Sequence, residues 1–203
     1  GIGIPGYSDA NRGIAISYSH LKDWKNIPVK DILEKEFHVT CYMDNNVNVM
    51  IFAYKWLVYG GKCEDMLFVS IRTGARVIPI INNQPVRGTC GYSGELGHVK
   101  VSGGSRICSC GRYGCLNSEI SDVAIVNKII DGIKVGRFRE IAEAVQGDMD
   151  KVTMMSFINS VREGHADSLK LLDQVKGFIA DILSMLVNIF APRKIVLFGE
   201  LAE

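Results

Sequence analysis

Neither sign of charge is in excess in this chain of 203 residues, where 23 Lys and Arg face 22 Asp and Glu. Without a basic field, nothing in the composition attracts a nucleic-acid backbone, and without an acidic tail no solvating segment is indicated. Any contact with DNA is therefore expected from a part of the protein absent from this chain. Long apolar runs are missing too. Residues 179–190 are interrupted by Asp181, Ser184 and Asn188 and fall short of the roughly 20 apolar residues that a membrane-spanning helix needs. No signal-peptide pattern, internal repeat or low-complexity segment is read. A disulfide framework is also not indicated. Of the six cysteines, Cys108, Cys110 and Cys115 crowd into eight positions, too close together to close long loops. Metal binding in a reducing cytoplasm is the better reading, with Cys41, Cys63 and Cys90 as small buried hydrophobes. The chain starts Gly-Ile-Gly-Ile-Pro-Gly without Met and stops just after an apolar strand pattern, which reads as a fragment of a longer protein.

What is present is enough apolar content, 47%, for a sizeable core. Residues 2–4, 13–17, 39–43, 66–71, 77–81 and 194–198 read as strands, with a turn at Asn82-Asn83. Helical spacing covers residues 29–37, then Val47, Met50, Ile51, Tyr54, Leu57 and Val58, which follow the capping cluster Asp44-Asn45-Asn46 and end at Gly60-Gly61. It returns over 123–133, 138–145, 152–161 and 169–189, the last ending before Pro192. Strands that feed helices, with strands apolar on both faces, predict an α/β fold.

The most specific pattern is Cys108-x-Cys110-x4-Cys115, with Gly111 and Gly114 between the last two thiols and His98 ten residues upstream. Three thiolates select zinc or iron–sulfur chemistry and leave one tetrahedral position, which His98 fills. A Cys3His set with no open position is a structural zinc site. It should hold residues 88–115, a stretch with too little apolar periodicity to fold by burial.

Gly94-Glu95-Leu96-Gly97-His98 followed by Cys108-Ser109-Cys110-Gly111-Arg112-Tyr113-Gly114-Cys115-Leu116 resembles the signature of the ROK family of repressors, open reading frames and kinases. Residues 1–6, 39–53, 68–88 and 194–199 resemble that family's Gly-Ile-Pro-Gly turn, sugar-site strand and helix, phosphate hairpin and late nucleotide strand. The resemblance implies the actin-like, hexokinase-like (ribonuclease H-like) two-lobed α/β fold. Residues 1–45 would be the remainder of the N-terminal lobe, and 46–203 the C-terminal lobe carrying the zinc loop 88–117. It also implies a sugar or sugar phosphate ligand, contacted by Asn45, Glu95 and His98, and a homodimer. His98 would use one ring nitrogen for zinc and the other for a hydroxyl.

The chain departs from the family's kinases at four places. Where they carry Glu-Asn-Asp, whose Asp takes the proton of the attacking hydroxyl, this chain has Asp44-Asn45-Asn46, and an amide cannot serve as a base. Where they carry Gly-Thr-Gly-x-Gly at the phosphate turn, it has Arg72-Thr73-Gly74-Ala75-Arg76, filling space that phosphate oxygens would use. Gly199-Glu200 sets a carboxylate beside the expected nucleotide phosphates. The residue after Cys115-Leu116, a sugar-contacting glutamate in many relatives, is Asn117. The resulting expectation is a non-catalytic, sugar-responsive transcriptional regulator, with DNA bound through a separate domain. The alternatives are an ATP-dependent sugar kinase and a degenerate dimerisation scaffold.

Overall fold

The computed structural model describes residues 1–18, 21–62, 65–88 and 93–202; Cys63 and Cys90 lie outside them. It divides into two compact units, Gly1–Phe68 with Ile78–Gly94 and Val69–Val77 with Glu95–Glu203.

In the first unit, β1 (Ile2–Ile4) pairs in parallel with β5 (Met43–Asn45), setting Ile4 opposite Asn45. The strand expected over 39–43 is thus shifted toward the helix that follows it. Ile2 donates to the Tyr42 carbonyl and the ladder runs on from there, so Val39 and Thr40 lack a β1 partner despite their β-branched side chains. A meander of β2 (Tyr7–Asp9), β3 (Ile14–Ser17) and β4 (Lys25–Ile27) lies alongside in sequence. Ile4, Ala15 and Met43 form a small core against which Ile2, Trp24, Ile27 and Val29 pack. Helix α1 (Val29–Phe37) is followed in the chain by α2 (Asn46–Tyr59). The amide of Asn45 accepts from Val47 N–H at 3.0 Å to cap α2, and Gly60 ends it in the left-handed region.

Strands β6 (Met66–Ile71) and β7 (Ala75–Ile81) contribute to both units and belong to a sheet of order β8-β7-β6-β9, where β8 is Gln84–Pro85 and β9 is Lys194–Phe198. Every residue of β6 is buried, which accounts for its unbroken apolar run. Asn82 and Asn83 both take positive φ, 50° and 64°, as a tight hairpin between β7 and β8 requires.

The second unit is mostly helical: α3 (Asn117–Ile120), α4 (Asp122–Lys134), α5 (Arg139–Ala144), α6 (Met154–Arg162) and α7 (Ala166–Phe190). Ser121 caps α4 through the Ala124 amide, and Thr153 with Ser156 forms a capping box on α6. On α7, Leu171, Val175, Ile182 and Leu186 make one buried stripe; the unit's interior also holds Leu116, Ile120, Ile125, Ile129, Phe138 and Phe157. Ala191 closes α7 in the left-handed region, and Pro192 follows. Among the described residues no helix is long and apolar enough to cross a membrane.

Candidate functional site

His98, Cys108, Cys110 and Cys115 converge in the second unit, with one ligand atom of each lying within 4.8 Å of all the others. Cys110 Sγ is 3.7 Å from Cys115 Sγ, and Cys108 Sγ is 3.7 Å from His98 Nδ1. In a tetrahedral site with metal–sulfur bonds of about 2.3 Å, sulfurs stand roughly 3.8 Å apart and sulfur and nitrogen about 3.5 Å. The spacing therefore fits one small cation, with Nδ1 as the coordinating nitrogen. Arg112, through its amide and then its guanidinium, holds the Cys110 thiol down to about 6, while burial and the neighbouring thiols push Cys115 up to about 11. Three sulfurs this close resist being ionised together, and a divalent cation among them would relieve that repulsion.

The backbone builds this cluster with few buried side chains. Val101 donates to Gly114, Cys108 to Arg112, Gly114 to Arg106 and Leu116 to Val99, all between 2.8 and 3.0 Å. Gly114 sits at φ 73°, and a Cβ there would stand 2.8 Å from the Gly104 carbonyl oxygen, so only glycine fits. The loop is anchored to the helices by Glu119, a buried residue that the sequence pattern does not single out. Its carboxylate accepts from the Ser105 and Arg106 amides at 3.0 and 3.2 Å and from Lys128 Nζ at 2.7 Å. Burial alone would raise this carboxyl, but Lys128 and the two amides outweigh it and hold it below its ordinary value.

Beside the cluster, the turn between β6 and β7 reaches two of the residues expected to face a sugar. Ala75 N–H donates to Asn117 Oδ1 at 2.7 Å. Arg76 Nε lies 3.3 Å from Glu95 Oε1, with the guanidinium side chain 12% exposed and the carboxylate 34%. The Nε–H is not aligned on that oxygen, so the contact is an ion pair rather than a hydrogen bond. Gly97 makes room for Asn117, because a Cβ at 97 would fall 2.0 Å from Asn117 Oδ1.

The model of the ROK family matches residues 1–203. The chain belongs to the ROK family. It is 30% identical over 207 residues to the xylose repressor of Caldicellulosiruptor bescii, a match covering 99% of this chain and 51% of that protein. Among solved structures it is similar to a ROK family transcriptional regulator homologous to E. coli MLC (TM-score 0.81, 20% identity, 98% of this chain and 48% of that one). It is also similar to a ROK family glucokinase from Streptomyces griseus, solved with glucose and AMPPNP (TM-score 0.80, 23% identity, 97% and 64%). The fold is thus the actin-like, hexokinase-like α/β fold of this family. The chain spans about half the length of the repressors it matches, and its relatives include both repressors and glucokinases.

Asn46, expected from the sequence to stand where a kinase's base would be, opens α2, and its Oδ1 accepts from Val47 N–H at 2.9 Å. The nearest acid in sequence is committed elsewhere: Asp44 Oδ1 accepts from the Asn45 amide and from Asn48 Nδ2, and Oδ2 pairs with Arg87 at 2.7 Å. Strand alternation also turns Asp44 to the face opposite Asn45. Asn45 itself is buried in the first unit, donating to the Gly6 carbonyl at 2.8 Å. In the second unit Arg72, the other arginine of the turn, stacks its guanidinium over Phe198 at 6.0 Å. Burial, with the Glu200 carboxylate adding to it, pushes Asp122 up to about 6 against the pull of Arg72.

Proposed function

We propose that this chain is the sugar effector-binding region of a ROK transcriptional regulator that binds without phosphorylating. In this reading Asn45, Glu95, His98 and Asn117 line the effector site. The Cys3His cluster holds a structural zinc that fixes the imidazole by Nδ1 and leaves Nε2 for a ligand hydroxyl. DNA is contacted by a domain outside this chain, in a cytoplasmic homodimer, and the effector shifts the balance between conformations of differing DNA affinity. The observation that carries the reading is the amide at position 46, beside which the nearest acid in sequence, Asp44, is spent on two amides and Arg87. Two further features support it. The turn amide of Ala75 is already bonded, and Arg76 faces Glu95, so neither is left open for nucleotide phosphate.

Titration calorimetry of the full-length protein against xylose, glucose and N-acetylglucosamine tests this. Binding with no ADP release in a coupled ATP assay is expected. Absence of binding to every sugar at millimolar concentration would sink the proposal, and ADP release on adding a hexose would replace it with the kinase reading that the glucokinase relatives suggest.

A further inference from the structure

Adjacent residues of one turn grip both second-unit side chains that the foregoing reading places at the sugar by carboxylate or amide. Ala75 holds Asn117 through its amide, and Arg76 holds Glu95 through its charge. In the pattern Gly-Thr-Gly-x-Gly this turn would leave amides bare toward phosphate; here the last glycine is Arg76 and the Ala75 amide is taken by Asn117. A guanidinium 12% exposed has little surface left for a ligand anion, and its charge is balanced by the carboxylate it touches. Glu95 keeps 34% of its side chain open, enough for its second oxygen to accept from hydroxyls. A carboxylate free to rotate would have to be ordered when a ligand binds; one fixed from behind by a half-buried cation is ordered beforehand.

We propose that Arg76 is a positioning residue for Glu95, and that the turn it belongs to has become a support for recognition of an uncharged, unphosphorylated sugar. The inference rests on the sugar-binding reading above. It narrows the ligand class and adds a residue that touches no ligand.

The test is a double-mutant cycle in the full-length protein, with Arg76→Met, Glu95→Gln and the pair, titrated with glucose, N-acetylglucosamine and their 6-phosphates. Arg76→Met should weaken binding of the neutral sugar about tenfold, with metal content unchanged. In the Glu95→Gln background the same change should have little further effect on sugar binding, because the positioning role runs through that carboxylate. Arg76→Lys, which keeps the charge without the fork, should recover part of the loss and carries the cycle if Arg76→Met does not fold. An equal loss in both backgrounds, no loss at all, or tighter binding of the 6-phosphates would each overturn the inference while leaving sugar binding intact. A wild-type protein that binds no sugar would overturn the underlying reading and this one with it.

Discussion

Residues 95–116 and the helices α4 to α7 are neighbours in one unit but solve the problem of staying folded differently. The loop buries Leu96, Val101, Leu116 and two cysteines, with its remaining side chains partly or fully exposed. It relies on cross-loop amide bonds and gathers four atoms that could hold a metal. The helices bury Ile125, Ile129, Phe138, Phe157, Leu171, Val175, Ile182 and Leu186, each worth about 1.5–3 kcal/mol when removed from water. Burial of that kind is spread over many contacts and survives the loss of any one ligand, whereas a closed coordination sphere concentrates its stabilisation in a single ion.

Removing the metal should break this comparison most visibly, since structural zinc contributes on the order of 10 kcal/mol where it organises a small domain. Purified protein should carry one zinc per chain. After chelation, the Val101, Cys108, Gly114 and Leu116 amides, which bond across the loop, should exchange with solvent quickly, while amides in α4 and α7 stay protected. Hydrogen exchange read by mass spectrometry separates the two sets. Equal protection before and after chelation would show that the loop does not depend on the ion.

The converse change lies among the helices. Phe157 is 1% exposed, and Phe157→Ala should cost about 3–5 kcal/mol, lowering the midpoint of thermal unfolding with zinc content preserved. If the variant instead released its metal before the helices melt, the separation between loop and helices would be wrong.

How far each region could be read beforehand follows from the same contrast. Helical periodicity and thiol spacing are local, so α4 to α7 and the convergence of His98 with the three cysteines were legible, although α3 was not distinguished from the loop before it. The strands β2 and β4, three residues each and polar in part, offered no alternation long enough to see. The strand expected over 39–43 was misplaced because its extent depends on what β1 pairs with, a fact sequence does not carry. The grip of the turn on the site was likewise hidden. Arginines at 72 and 76 could be seen to crowd a phosphate, but the bond from Ala75 reaches a partner 42 residues away, and no local pattern announces it.

Glu119 is where the two regions meet, so it gives the finest discrimination. Its carboxylate takes two loop amides and the α4 lysine, and Glu119→Gln keeps the shape while removing the charge. Hydrogen bonds to a charged acceptor contribute more than neutral ones, and the change should cost about 2 kcal/mol, less than the core truncation. The pH dependence identifies the cause. Because the folded carboxyl titrates below its ordinary value of 4.5, the unfolded chain binds the proton more readily, so the stabilisation is present above about pH 4.5 and disappears as the pH falls through the folded value. Wild type and Glu119→Gln should therefore differ most near pH 7 and converge in acid, as followed by denaturant midpoints. A difference that stays constant down to pH 3 would mean that Glu119 acts by its shape alone, and that loop and helices are joined by packing rather than by this charge.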